Sequence, residues 1–181
     1  MVDHRSWIRG LLKGRDDTFE EMLTYFRPKI WRYLCRKVPV DDAEDVFQEV
    51  WLTVMTTIHR LQEPDHLAGW VFAIVRFKVL EYYRARARQP NQIDAPCLDL
   101  PDTPAAPFSQ EEQLFIREVH RAILGLGDAY REIAVLHFIV GLKVNEIVQV
   151  TDANIHTVKS CIQRAKAQIY KRIKGTAPCR S

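Results

Sequence analysis

The chain has 181 residues, with 26 Lys+Arg against 23 Asp+Glu and a formal net charge of +3. A hydrophobic content of 47% beside 27% charged residues excludes a fully disordered chain, and only seven glycines exclude collagen-like or glycine-rich sequence. No apolar run reaches the roughly 18 residues that span a bilayer, and MVDHRSWIRG lacks a signal-peptide core, so a cytosolic protein without membrane insertion is expected.

Helical periodicity dominates, and no stretch sustains the two-residue alternation of a sheet. The spacing predicts helices near Ser6–Lys13, Thr18–Lys37, Asp42–Leu61 and His66–Arg88 in an amino-terminal lobe. Pro28 should end or kink the second. The third begins Asp41-Asp42-Ala43-Glu44, which reads as an aspartate cap with a glutamate three residues on.

On that third helix, Phe47, Val50, Trp51, Val54 and Ile58 form one apolar stripe, which should face the core. Asp45, Gln48, Glu49 and Leu52 lie opposite. Between Asp41 and Glu49 stand five carboxylates and no base. A solvated outer face is one reading. Leu52 argues for another, because an apolar side chain amid carboxylates suits a partner surface. A metal-binding cluster is a third, but no histidine converges on it.

The next helix reads GWVFAIVRFKVLEYYRARAR. Trp70, Ala73, Ile74, Phe77 and Leu80 make a coherent face, while Val71, Phe72, Val75 and Val79 carry apolar character around the other side. Such a helix should be buried on most faces. Its end mixes Tyr82 and Tyr83 with Arg84, Arg86 and Arg88; Arg76 and Lys78 bring the bases to five against Glu81 alone. Rings can stack on unpaired bases and arginines can follow phosphates, although a core helix with a solvated basic end is the plainer reading.

Five of the nine prolines fall at Pro90, Pro96, Pro101, Pro104 and Pro107, in a stretch without Lys or Arg that holds Asp94, Asp99 and Asp102. Neither helix nor sheet can run through such a sequence, which reads as an extended acidic tether. Beyond it, helices are expected near Gln110–Leu126, Ala129–Val140, Val144–Thr151 and Ile155–Ile173, with caps at Ser109, Asp128 and Asn154 and a stop at Gly141.

In the last helix, Ile155, Val158, Ile162, Ala165 and Ile169 recur at spacings of 3 and 4, a buried stripe. His156, Ser160 and Gln163 stand opposite, with Lys159 and Arg164 at the margins. A short helix, a tight turn at Asp152-Ala153-Asn154 and a long basic helix form a helix-turn-helix, whose second helix enters the major groove of DNA. Asp152 takes the place that needs near left-handed geometry. An ordinary helical hairpin with a basic outer face is the alternative.

Cys35, Cys97, Cys161 and Cys179 form no CxxC pair and stand at no zinc-finger spacing, so reduced, incidental thiols are expected, with no metal and no cofactor. The fold class is therefore all-α: two small helical domains joined by a flexible Pro-rich linker, the second a helix-turn-helix domain. The boundaries fall at 1–88, 89–109 and 110–175, with a tail over 176–181.

Three segments, DAEDVFQEVWLTV, GWVFAIVRFKVLEYYRARAR and YREIAVLHFIVGLKVNEIVQVTDANIHTVKSCIQRAKAQI, occur in an order that resembles the sigma-70 family of bacterial transcription initiation factors. The small two-domain extracytoplasmic-function (ECF) group is the nearest pattern. The resemblance implies a non-catalytic factor that directs promoter recognition, DNA melting and transcription initiation. It implies that Asp45, Gln48, Glu49, Trp51, Leu52 and Met55 bind core RNA polymerase at the beta-prime coiled coil, with the beta flap as a further contact. Gln62, Glu63, Asp65 and His66, with Trp70, Arg76, Lys78, Tyr82, Tyr83, Arg84, Arg86 and Arg88, would hold the −10 element. His156, Thr157, Lys159, Ser160, Gln163 and Arg164 would read the −35 element.

An anti-sigma factor is a further implied partner; the chain would be cytoplasmic, at the nucleoid when bound to polymerase or held at the membrane by that inhibitor. Val148, Asp152 and Gly127-Asp128 depart from the usual pattern. The rival readings are a conventional helix-turn-helix regulator that binds duplex without joining polymerase, and a metal-dependent nuclease.

Overall fold

The computed structural model describes residues 4–88 and 118–176. Four helices form the amino-terminal lobe: α1 (His4–Leu12), α2 (Asp16–Leu34), α3 (Val40–Thr57) and α4 (Leu67–Ala87), the last two joined by 3-10 turns at Ile58–Arg60 and Pro64–His66. The second lobe comprises α5 (118–124), α6 (Asp128–Ala134) running on into a π-helical turn (Val135–Ile139), α7 (Val144–Thr151) and α8 (Ile155–Thr176). No strand occurs among the described residues. The fold is all-α, as the periodicity implied. The tether, the Ser109 cap, Cys97, Cys179 and the end of the tail lie outside the described residues.

Met22, Phe26, Ile30 and Leu34 recur every four residues on α2 and are fully buried. They meet Phe47, Val50 and Val54 of α3 and Val71, Phe72 and Val75 of α4 in one core. Helix α2 continues through Pro28 rather than ending there. The ring is exposed while Phe26 and Ile30 on either side are fully buried, so packing outweighs the lost backbone bond. Helix α3 begins two residues earlier than the acidic cap predicted. Pro39 is its N-cap, without a side-chain bond, and Asp41 and Asp42 lie inside the first turn. There the two carboxylates still face the positive end of the helix dipole.

In the second lobe, the N–H of Val140 bonds the carbonyl of Val135 at 3.0 Å, which widens the end of α6 by one residue. Gly141 then takes φ +83°, and the N–H of Leu142 returns to Leu136 O at 2.9 Å. The reversal needs the left-handed region, which Gly adopts without a Cβ clash. Gly127, not Asp128, is the N-cap of α6; Asp128 enters the first turn and pairs with Arg131 at 2.9 Å.

The two lobes touch. Helix α7 lies along the start of α4, and the π-helical turn lies against α2. Tyr33 of α2 is fully buried, stacked edge-on against Phe72 at 6.0 Å.

Candidate functional site

Helix α3 divides cleanly. Phe47, Val50, Trp51, Val54 and Ile58 are buried, and Asp45, Gln48, Glu49, Leu52 and Met55 are exposed on the other side. Leu52 is 63% exposed, a large apolar side chain held in water among polar ones. Trp51 does not belong to this face. It is a core residue, edge-on to Phe19 at 6.0 Å and Phe47 at 6.1 Å. Of the five carboxylates, Asp42 pairs with Arg86, Glu44 with Arg27 at 3.7 Å and Glu49 with Lys78 at 3.3 Å. Asp41 and Asp45 have no ion pair among the described residues.

Helix α4 is buried on one side rather than on most of its faces, and the side is the one opposite its aromatic stripe. Leu67, Val71, Phe72, Val75 and Val79 enter the core, whereas Phe77 is 50% and Leu80 39% exposed. Trp70, Ala73 and Ile74 are half-buried beside them. Because both sides of the helix are apolar, periodicity alone could not choose between them.

The basic end of α4 is only partly free. The Tyr82 hydroxyl donates to Asp42 Oδ2 at 2.6 Å, and Arg86 bonds both that carboxylate and the Tyr82 oxygen. Burial, and then the bond to Asp42, push the Tyr82 hydroxyl up to about 12. The Tyr83 hydroxyl donates to the carbonyl of Lys37. Lys78 is clasped by Glu81 at 3.0 Å and Glu49 at 3.3 Å, and the bond to Glu81 is the main reason its ammonium is held above the ordinary lysine range. Tyr82, Tyr83 and Arg86 are thus tied within the lobe, while Arg84 and Arg88 are exposed and Arg76 is half-buried.

Gln62, Glu63, Asp65 and His66 are exposed on the short loop that leads into α4. Asp65 is paired with Arg5 of α1 at 3.1 Å, a contact that sequence spacing gave no sign of.

The helix-turn-helix forms as expected. Asp152 sits at φ 54°, ψ 24°, and its N–H caps the carbonyl of Val148 at 2.8 Å. Asn154 Oδ1 accepts from the N–H of His156 at 2.8 Å and so caps α8. Val158, Ile162, Ala165 and Ile169 are buried, though Ile155 at the helix start is exposed. His156, Thr157, Lys159, Ser160, Gln163 and Arg164 all face water, and Arg164 reaches back to the Tyr130 hydroxyl at 2.9 Å. One helix therefore presents polar and basic groups suited to base edges and phosphates over a rigid apolar underside.

Residues 22–89 match the family model for sigma-70 region 2. That segment holds both the acidic face of α3 and all of α4. The chain is similar over 92% of its length to the ECF RNA polymerase sigma-E factor of Escherichia coli K12, at 24% identity and 92% coverage of that protein. It is 26% identical to the ECF RNA polymerase sigma factor ShbA of Streptomyces griseus, over 90% of this chain and 91% of that one. The matched segment is similar to sigma-70 region 2, and the relatives that align along nearly the whole chain are named ECF sigma factors.

Two solved structures share the fold. CnrH in complex with the cytosolic domain of CnrY superposes with a TM-score of 0.66 at 20% identity, over 97% of this chain and 100% of that one. The sigma factor RpoE of Bartonella quintana, in complex with the anti-sigma factor NepR, also gives 0.66 at 20% identity, over 88% and 98%. Among the described residues, no group of three or more His, Cys, Asp or Glu side chains could hold a metal ion, and no helix is long and apolar enough to cross a membrane.

Proposed function

We propose that this sigma factor joins core RNA polymerase through the exposed side of α3 and carries the enzyme to promoters by contacting two DNA elements. It is a non-catalytic transcription initiation factor that works in the cytoplasm, at the nucleoid when bound to polymerase. The observation that carries the reading is the outward presentation of Asp45, Gln48, Glu49, Leu52 and Met55 inside the segment that matches sigma-70 region 2. Its mix of carboxylate, amide and apolar groups suits a basic helical partner with apolar positions, as the beta-prime coiled coil would be. Trp51 is left out, since it packs inside.

The loop carrying Gln62, Glu63, Asp65 and His66, with Trp70 and the exposed Arg84 and Arg88, is assigned to the −10 element. The outer face of α8, from His156 to Arg164, is assigned to the −35 element, with each good base contact giving about 1–3 kcal/mol of discrimination. The second lobe would also touch the beta flap. An anti-sigma factor is a further partner, favoured by the two complexes whose sigma folds match this one.

Purified chain mixed with core polymerase and a genomic template library should give start-site-selective run-off transcripts. Asp45→Arg with Glu49→Arg should abolish capture of core polymerase while preserving helicity. Undiminished capture would refute the assignment of α3. A conventional regulator would bind duplex equally well but would confer no start-site selection on the enzyme.

A further inference from the structure

Helix α1 is anchored along one side. Trp7 and Ile8 are buried, and the Trp7 indole donates to Glu21 Oε2 of α2 at 3.0 Å. Gly10 packs so closely on α2 that a Cβ there would lie 2.3 Å from Thr18 Oγ1. Fixing Trp7, Ile8 and Gly10 inward turns Arg5, Arg9 and Leu12 outward, and Lys13 follows in the turn after the helix. All four of these outward residues are exposed.

That outer face is basic, whereas the exposed face of α3 is acidic. From Arg5 to Arg15 the chain carries four bases and no acid, and from Asp41 to Glu49 five acids and no base. One partner cannot suit both, since a basic coiled coil drawn to α3 would be repelled by α1. Arg15 is tied to Asp17 at 2.8 Å. Arg9 and Lys13 make no ion pair among the described residues. A rigidly held positive face of this kind suits an anionic partner.

The position of α1 selects the anion. It lies against both 3-10 turns of the segment that joins α3 to α4. Arg5 Nη2 pairs with Asp65 Oδ2 at 3.1 Å, on the Gln62–His66 loop. Both side chains are largely exposed, at 65% and 70%, so this pair contributes little to stability. Its consequence is electrostatic: it offsets a carboxylate that would repel a phosphate passing from the loop to α1. His59 and Arg60, in the turn before the loop, are exposed as well. Arg84 and Arg88 lie at the other end of α4, about 30 Å along the helix axis. The loop thus stands between two basic surfaces.

We propose that Arg9 and Lys13 bind phosphates of the unpaired DNA strand as it leaves the Gln62–His66 loop, with Arg5 screening Asp65 at the point of exit. The inference rests on the function proposed above, in which that loop holds part of the −10 element. Helix α1 exposes no aromatic ring, so its contacts add affinity without reading bases. They meet the strand only after it has left the duplex, and so stabilise the opened promoter over the closed one.

Fluorescence anisotropy of the full chain with a labelled oligothymidine, and with a duplex of equal length, tests the rail without polymerase. Arg9→Ala with Lys13→Ala should lower the single-strand slope of log affinity against log salt by about 1.4, at about 0.7 per contact; this is about 25-fold in affinity at 0.1 M salt. The duplex slope, supplied by α8, should not move. Both sites are exposed and alanine favours helix, so helicity should be unchanged. Arg9→Lys with Lys13→Arg keeps both charges and should keep the wild-type slope. Arg5→Ala, which uncovers Asp65, should weaken single-strand binding at least as much as Arg9→Ala. An unchanged single-strand slope overturns the proposal, as does an equal fall on the duplex. Binding to phosphatidylserine vesicles that is as tight, and lost in the same variant, reassigns the face to lipid and overturns it too.

With core polymerase on a promoter fragment, the double alanine variant should show weaker permanganate reactivity of unpaired thymines at unchanged capture of the enzyme. Loss of capture would mean that α1 serves polymerase, and overturns the assignment to DNA. Absence of transcripts from wild type refutes the sigma reading itself, and the anisotropy slopes still decide whether α1 binds a single strand.

Discussion

Tyr82 and Asp42 stand 40 residues apart in the chain, and the phenol donates to the carboxylate at 2.6 Å, pinning the last turns of α4 to the first turn of α3. Tyr82→Phe removes that donor while keeping the ring, so it should destabilise the amino-terminal lobe by about 1 kcal/mol. Urea unfolding followed by circular dichroism measures it. An unchanged midpoint would mean that water replaces the phenol without loss.

The same pairing separates the arginines of α4 by task. Arg84 and Arg88 are exposed, whereas Arg86 is bound to Asp42 and Tyr82. Arg84→Ala with Arg88→Ala should reduce the slope of log affinity against log salt by about 1–2 for promoter binding by the polymerase complex. Arg86→Ala should change that slope less and lower thermal stability instead. Equal slopes for all three proteins would place these arginines away from phosphates.

His120, whose Nε2 stands 3.0 Å from Arg36 Nη2 where the lobes touch, gives that contact a pH dependence with a definite sign. Burial, and then the nearby Arg36 and Arg32 charges, lower its imidazole to about 4. Arg36 can only donate, so Nε2 accepts and the proton of the neutral ring sits on Nδ1. Between about 6.5 and 4 the unfolded chain binds a proton that the folded chain refuses, so stability falls as pH falls through that window and levels off below it. Thermal melts from pH 7 to pH 4 should show the decline, and His120→Gln should flatten it. An identical decline in the variant would assign the effect to other groups.

Asp152 is the only non-glycine among the described residues with positive φ. The left-handed region costs a residue with a Cβ roughly 1–2 kcal/mol, less for Asp than for most. Asp152→Gly should therefore hold or raise the melting temperature of the second lobe, whereas Asp152→Val should lower it by several degrees and weaken −35 binding. Calorimetry on the two variants reads the difference.

Much of this structure could be read from the residues. The stripe of α3 is buried where the 3.6-residue period put it, and α7 occupies Val144–Thr151 as predicted. Asp152 and Asn154 perform the turn and cap that their short polar side chains suit. These features depend on local geometry, which sequence spacing encodes.

What escaped depends on distant partners. Helix α4 is apolar on both sides, and only its contact with α2, α3 and α7 decides that Phe77 and Leu80 remain outside. Asp42 reads as the first residue of a helix capped by Asp41, yet Pro39 caps that helix and Tyr82 and Arg86 claim the Asp42 carboxylate. Glu132 joins Tyr33 and Lys37 across nearly a hundred residues, and no period or motif announces such a pair.

The bare backbone at position 69 has an evolutionary corollary. Every missense change open to a glycine codon through one altered base adds a side chain, and any side chain there meets the Glu146 carbonyl and the Gln149 amide. The smallest of them, a methyl, would need the flexible Gln149 side chain to swing away and the Glu146 backbone to give by a few tenths of an ångström.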